Sequence, residues 1–449
     1  MIGTELSSTN SRPPYGGYQE TEVEWLGRVP LHWRKGKLKH SVTACQNGVW
    51  GDEPDGVSDI ICVRVADFDR RSLRVRLNQP TLRSVTERER RGRVLASGDL
   101  LLEKSGGGDL QPVGAVVLYD RPAAAVCSNF VARMPVHDAY NPRFLAYLHA
   151  HLYDRRVNTR SIKQSIGIQN LTSDAYLDEI AYFPPLPEQR AIATFLDRQT
   201  AKIDQLIAKK ERLIALLQEQ RAAVITHAVT RGLDPNAPMK DSGVEWLGQV
   251  PAHWTVVRNK VLFREIDERS DTGTEELLSV SHITGVTSRS EKVVYMFKAE
   301  SNVGYKRCRR DDLAVNTMWA YMGALGISPL DGIISPSYNV YRSRTADLLP
   351  AYFDLLCRMP PHIAEIDRMS KGVWRSRLRL YPDEFFEIRS PVPPIEEQKS
   401  LLEMVRDTDS RDADVRKSLI DSLEKLREYR SALISAAVTG KIDVRGEVE

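Results

Sequence analysis

One segment of this chain is written twice. Residues 23–33 read VEWLGRVPLHW and residues 244–254 read VEWLGQVPAHW, identical at nine of eleven positions. Two further pairs follow, both offset by 209 residues: PPLPEQRAI (184–192) with PPIEEQKSL (393–401), and AAVITHAVTRGLD (222–234) with SALISAAVTGKID (431–443). Weaker echoes link Gly98-Asp99-Leu100 to Asp311-Asp312-Leu313, and Pro142-Arg143-Phe144-Leu145 to Pro350-Ala351-Tyr352-Phe353. Solenoid repeats have periods of ~20–50 residues, far shorter than this one. The 449 residues are therefore a globular region plus a tail, duplicated in tandem. Length alone, at ~150 residues per domain, would have suggested three unlike domains.

Each unit opens on its Trp-bearing segment. Proline and glycine fix a turn between apolar anchors, so Trp25, Leu26, Pro30 and Trp33, and Trp246, Leu247, Pro251 and Trp254, read as the packed start of a domain. The functional alternative for these indoles is stacking on a nucleobase. The middle of each unit mixes short β-like runs (59–65, 113–119, 277–280, 333–334) with turns and with helical patterns at 142–153 and 350–359. That mixture is an α+β domain.

The end of each unit differs. Pro184, Pro185 and Pro187 are followed by no proline until Pro235, and Pro393 and Pro394 by none at all. Proline suits a first helical turn, and the residues behind it are good helix formers. Alternating steps of three and four place Leu196, Ile203, Leu206, Leu213, Leu217 and Val224 along the first helix. The same steps place Leu402, Val405, Leu419, Leu423, Leu426 and Leu433 along the second, with a polar interruption at 409–416. That period marks a coiled-coil seam. A lone helix of this length leaves its seam in water, so the two are expected to pair. They are expected to run antiparallel, because a whole domain between them reverses the chain. The alternative is that each packs back onto its own domain. The resulting boundaries are a polar N-terminal tail (1–19), a first domain (20–186), a central helix (187–232), a second domain (233–395), a distal helix (396–443) and a C-terminal tail (444–449).

Catalytic motifs are missing. The loop Ser105-Gly106-Gly107-Gly108-Asp109 has no following Lys-Ser/Thr and cannot be a phosphate-binding loop. Arg12-Pro13-Pro14-Tyr15 imitates the tail of a base-methyltransferase motif, but Arg stands where a hydrogen-bond acceptor is needed. Pro382-Asp383 with Glu387-Ile388-Arg389 imitates a metal-dependent nuclease, with Arg for Lys and the carboxylates crowded together. His149 and His151 have no further Cys or His to complete a zinc site. No metal or cofactor site is expected on this chain. Five scattered cysteines read as reduced core thiols, and with no run of 18 apolar residues the expected place is the cytoplasm, away from any membrane.

A net charge of +3 hides local concentrations. Residues 60–95 carry ten Arg against four acids. Residues 155–170 and 368–379 hold four and five basic residues with no acid, and 298–310 five with one acid. Arginine pairs bidentately with guanine edges and with phosphates. Basic stretches at matching places before each Pro-rich stop suggest two DNA-binding modules.

The duplicated VEWLG-x-VP-x-HW opening, the PP-[LI]-x-EQ-[RK] helix start and the VT-x-x-[LI]D helix end together resemble the specificity subunit of type I restriction–modification systems. The match runs along nearly the whole chain, in order, twice. The resemblance implies two tandem-duplicated α+β target recognition domains separated by two long helices that pair as an antiparallel coiled coil. It implies a non-catalytic subunit in which each domain reads one half of a bipartite double-stranded DNA site. The helices act as a ruler: ~40 residues span ~60 Å at 1.5 Å each. The partners would be two modification (methyltransferase) subunits and the restriction (motor and nuclease) subunits. S-adenosylmethionine, ATP and Mg²⁺ are expected on those partners and none on this chain. Within this frame the candidates for base readout are Arg160, Lys163 and Gln164 in the first domain and Lys371, Trp374, Arg375 and Arg377 in the second. Arg74, Arg76, Arg307, Arg309 and Arg310 are candidates for phosphate contacts. A reading from another class is a coiled-coil scaffold joining two protein-binding domains.

Overall fold

The computed structural model describes residues 14–108, 110–165, 168–291 and 301–447, less the side chains of Gln164, Ser165 and Ser376. The chain divides into two compact units, and one of them is discontinuous: unit 1 is Met1–Lys210 with Ile420–Glu449, and unit 2 is Glu211–Leu419. Both are α+β.

In unit 1 the first Trp segment forms an antiparallel pair, Tyr18–Glu20 with Arg28–Pro30. Arg34–Lys37 then lies against Ile180–Phe183, so an early strand and the last strand of the domain are neighbours. Between them runs a six-stranded sheet whose central strand, Leu100–Glu103, is fully buried. Helix α1 (Pro142–Asp154) packs on strand Val116–Leu118. Asn141 caps it, accepting the Phe144 amide at 2.9 Å, and Pro142 fills the first turn. A helix start of this kind satisfies amides that have no partner inside the helix. The strand Ile180–Phe183 leads into helix α2 (Leu186–Arg231).

Unit 2 repeats the plan. Met239–Asp241 pairs with Gln249–Pro251, and Thr255–Arg258 with Arg389–Val392. A four-stranded sheet holds Phe263–Ile266, Asn339–Ser343, Leu313–Val315 and Leu325–Ile327 in that order. Two helices, α3 (Pro350–Cys357) and α4 (Pro360–Met369), stand where unit 1 has one. Arg389–Val392 leads into helix α5 (Ile395–Val438). The faint Asp99/Asp312 echo is now explained. Each aspartate is buried at the start of a central strand and caps the turn before it, accepting from the amide three residues back (Ala96 at 2.7 Å, Arg309 at 2.9 Å). Each also accepts from an arginine on the adjacent strand, Arg133 at 2.6 Å and Arg342 twice at 2.8 Å.

The long helices run antiparallel within each unit. In unit 1, Arg198 reaches the Glu447 carbonyl at 2.9 Å while Arg430 pairs with Asp204 at 3.0 Å. In unit 2, Arg221 pairs with Asp409 at 2.5 Å while Ile225, Ala228 and Val229 share a core with Leu401 and Val405. Seam residues Leu196, Ile203, Val405, Leu423 and Leu433 are buried, and Leu217, Leu402, Leu419 and Leu426 half-buried. Leu206, Leu213 and Val224 are not in the seam: all three are exposed. The covered positions on α2 run 196, 200, 203, 207, 210, 214, 217, 221. Steps of four then three fit the 3.5-residue period as well as three then four. Apolar Leu206 and Leu213 favoured the wrong phase, whereas the packed positions include polar Thr200, Lys210 and Arg221.

Both expected tails belong in part to the fold. Tyr15 and Val444 are buried in unit 1. Helix α5 stops at Val438, short of residue 443, because Gly440 turns left-handed at φ +69° and the Lys441 amide closes on the Ala436 carbonyl at 2.8 Å. That is how glycine commonly ends a helix. Cys62, Cys127, Cys308 and Cys357 are buried and Cys45 half-buried, all as free thiols. Among the described residues no helix is long and apolar enough to cross a membrane.

Candidate nucleic-acid interface

The three repeated motifs meet at one junction in each unit. In unit 1, Glu188 of the PEQ motif accepts from the Trp33 indole at 2.9 Å and the Tyr15 hydroxyl at 2.7 Å, and His32 Nε2 lies 2.7 Å from its other oxygen. In unit 2, Glu397 accepts from the Trp254 indole at 2.9 Å, with His253 Nε2 at 2.7 Å. The neighbouring glutamines do a second job. Gln189 accepts from the Asn141 amide and Gln398 from the Leu349 amide, each at 2.8 Å, fixing the residue just before α1 and α3. The helix-end glycines complete the junctions: Gly440 sits against Pro30 and Trp33, and Gly232 against Pro251 and Trp254.

Trp33 and Trp254 are 2% and 0% exposed, so these indoles are structural. Trp25 packs beside His151 and Trp246 beside His362, with ring centroids 5.6 and 5.3 Å apart. His149 turns instead to the Tyr176 hydroxyl at 2.7 Å. Burial lowers all three of these histidines to about 4. Among the described residues no group of three or more metal-ligating side chains converges.

Each domain also carries a hairpin tip beside which the candidate residues fall. In unit 1, Leu100–Glu103 and Val116–Leu118 form a hairpin in which Leu102 faces Val116. Its tip spans residues 104–115 and carries the glycine triad. There Ser105–Gly106 pairs with Ile168–Leu171, which pairs in turn with Ile162–Ser165. Ser105 Oγ donates to Asn170 Oδ1 at 2.6 Å. Gly107 has φ +62°, and a Cβ there would lie 2.8 Å from the Val113 nitrogen. Lys163 is exposed on this small sheet, and the Gln164 side chain lies outside the described residues. Arg160 is exposed in the turn just before it, 3.2 Å from Glu24.

Unit 2 places an equivalent hairpin, Leu313–Val315 with Leu325–Ile327, under a tip of residues 316–324. Beside it runs the basic loop 370–381, tied on by the Leu380 amide donating to the Thr317 carbonyl at 3.2 Å. The loop is closed by two amide–carbonyl bonds of 2.9 Å between Lys371 and Arg379. Lys371 is paired with Glu384. Trp374 and Arg377 are exposed, and Arg375, 78% exposed by side chain, lies 5.9 Å over the Tyr321 ring of the tip. The candidates for base readout thus fall beside topologically equivalent tips in both units. Sequence reasoning set the first tip aside as a plain loop and missed the second. The Asp99/Asp312 echo, which stands just before each, was the signal that could have found them.

The phosphate candidates are mostly engaged. Arg74 is half-buried against Asp120 and Asp197, and Arg76 pairs with Asp69 at 2.7 Å. Arg307 faces Glu275 and Asp271, and Arg309 faces Glu268 at 3.0 Å. Arg310 is exposed, with its backbone amide held by Asp331. A charge count within 60–95 cannot see acids that arrive from elsewhere, such as Glu103 beside Arg70, Asp204 beside Arg71 and Asp120 beside Arg74. Residues 292–300, which include part of the 298–310 stretch, lie outside the described residues.

No family model matches the chain. It is 25% identical over 351 residues to the type I restriction enzyme EcoBI specificity subunit of Escherichia coli, covering 72% of this chain and 71% of that one. It is 20% identical over 442 residues to the putative type I restriction enzyme MjaX specificity subunit of Methanocaldococcus jannaschii, covering 95% and 97%. Among solved structures, one described as underlying complex assembly and conformational transition of the type I R-M system matches with TM-score 0.66 at 15% identity, over 91% of this chain and 98% of that one. The HsdS subunit of Thermoanaerobacter tengcongensis matches with TM-score 0.50 at 14% identity, over 94% and 100%. The named relatives of this chain are specificity subunits of type I restriction–modification systems, its structural neighbours come from such systems, and the resemblance carried by the duplicated motifs is to that family.

Proposed function

We propose that this chain is a non-catalytic, sequence-specific DNA-binding subunit. Each unit reads one half of a bipartite double-stranded site through its hairpin tip and adjoining basic segment, and the shared helices set the spacing. The observation that carries this reading is the recurrence, in both units, of a basic exposed segment hydrogen-bonded to the same hairpin tip. Phosphate contacts position such a surface and base-edge contacts specify the sequence.

The chain directs two modification subunits, which bring S-adenosylmethionine and methylate adenine, and restriction subunits, which bring ATP, Mg²⁺ and cleavage. The exposed apolar side chains on the helices support docking: Leu206 and Ile420 in unit 1, and Leu213, Leu216, Val224 and Val415 in unit 2. An exposed apolar patch, where such side chains adjoin, is the kind of surface a protein partner covers.

Mapping methylated adenines in host DNA with and without this chain tests the reading. A bipartite set of marks that vanishes with the chain is the expected result; marks that persist unchanged refute it. A salt titration of the purified chain on that site separates DNA binding, which weakens steeply through counterion release, from a protein-joining scaffold. Incubation with Mg²⁺ and S-adenosylmethionine alone should modify no DNA.

A further inference from the structure

The two tips are equivalent in topology and opposite in chemistry. Unit 1 carries Gly106, Gly107 and Gly108, which present no side chain, with the aliphatic Leu110 exposed nearby, whereas unit 2 carries Trp319, Tyr321 and Met322. Resting on the DNA-recognition reading above, we propose that Trp319 is a nucleobase-stacking platform serving the half-site read by unit 2.

Trp319 is 47% exposed, unlike the junction tryptophans of the same unit. Its backbone is fixed: the amide donates to Asn316 at 3.0 Å, and the carbonyl accepts from Met322 and Ala324 at 3.0 and 3.1 Å. The next residue, Ala320, is fully buried, which anchors the turn beneath it. The indole lies 13° from parallel to the His282 imidazole, with centroids 6.5 Å apart. The two rings are thus near-parallel neighbours, and the half-exposed indole can take a further ring.

Its surroundings fit a nucleic acid better than an apolar protein face. Arg375 lies over Tyr321 of the same tip, and exposed Arg377 and Lys371 share the adjoining loop. A flat aromatic surface rimmed with cations matches a base flanked by phosphates. Inside a duplex the faces of a base are covered by its neighbours, so the contact requires a base at an unstacked or kinked step. Unit 1 has no side chain at its glycine triad to stack with. The two half-sites would then be read by unlike means, with an aromatic face serving only the one read by unit 2.

The test uses the full chain, with its partner subunits, on duplexes carrying the site found by methylation mapping. 2-Aminopurine is placed in turn at each position of the two half-sites. At one position in one half-site only, its fluorescence in the complex should differ between wild type and Trp319→Ala, with Trp319→Phe following wild type. Trp319→Ala should bind about 10- to 100-fold more weakly, in line with the loss of one base stack. It should lose preference in that half-site alone and keep the wild-type salt slope, since no phosphate contact is removed. Trp319→Leu separates stacking from simple apolar contact and should behave like Ala. If Ala binds like wild type, or Leu restores binding as well as Phe does, the proposal is overturned while DNA recognition stands. A wild-type chain that shows no salt-dependent binding to its mapped site overturns both.

Discussion

Replacing Glu188 by alanine removes the carboxylate on which the unit 1 junction is built. Glu188 accepts three hydrogen bonds and its side chain is only 5% exposed. Of its donors, the Trp33 indole and the Tyr15 hydroxyl belong to buried residues and cannot turn to water, whereas half-exposed His32 can. Each orphaned buried donor costs ~1–3 kcal/mol, so the loss is about 4 kcal/mol. Against a domain stability of ~5–15 kcal/mol, that is a large fraction. The matched residue gives an internal control. Glu397 is 22% exposed and accepts from one buried donor, the Trp254 indole, and from half-exposed His253. Glu397→Ala should therefore cost about 1–2 kcal/mol. Hydrogen exchange reads both sites separately, which a single melting curve of a two-unit chain cannot do. Protection of the Tyr18–Glu20 and Arg28–Pro30 pair and of the first turn of α2 should fall about 1,000-fold in Glu188→Ala. The Met239–Asp241 and Gln249–Pro251 pair and the first turn of α5 should lose only about tenfold in Glu397→Ala. If the first loss is under about 1 kcal/mol, or no larger than the second, buried donors do not hold the junction as argued.

Gly440→Ala should destabilise unit 1 by more than ~2 kcal/mol, because the new Cβ would lie 2.3 Å from Pro30 at a left-handed φ. Gly232→Ala, whose Cβ meets the Glu397 side chain at 2.9 Å, should cost unit 2 less; unit-resolved hydrogen exchange compares the two. Acid should weaken unit 1 more steeply than unit 2. His149 and His151 in unit 1 and His362 in unit 2 are lowered by burial from 6.5 to about 4, so the unfolded chain binds protons first. Their stability is fully present above about pH 6.5 and is lost as pH falls toward 4, at ~1.4 kcal/mol per pH unit per histidine. Equal acid slopes in the two units would contradict this. Arg375→Ala should lower affinity for the mapped site by ~1–3 kcal/mol and relax base preference in one half-site. An unchanged binding isotherm and half-site profile would remove Arg375 from the reading surface.

The duplication and the helices could be read directly because their signals are local: identical strings, proline punctuation and a 3.5-residue period. The junctions could not, because Trp33 and Glu188 stand 155 residues apart and only the fold brings them together. The two tips share almost no residues, so their equivalence appears only in strand register, Val116 on Leu102 and Leu325 on Val315. Arginine counts misled for a physical reason as well. Arg70, Arg71 and Arg74 meet acids that a window along the chain does not contain. The seam shows the limit of periodicity, since two phases have the same period and only burial chooses between Leu206 and Ile207.

Unit 1 is built from chain on both sides of unit 2. During synthesis the segments of unit 2, residues 211–419, are all made before residues 420–449 that unit 1 still lacks. The unit begun first is thus the one finished last, and until Gly440 and Val444 are made, the apolar surfaces around Pro30 and Trp33 lack their cover. A stalled or truncated chain would therefore show its damage at the N-terminal domain, hundreds of residues from the break, where a chaperone or protease meets exposed apolar surface. Covering the junction of the first domain thus depends on residues made only after all of unit 2.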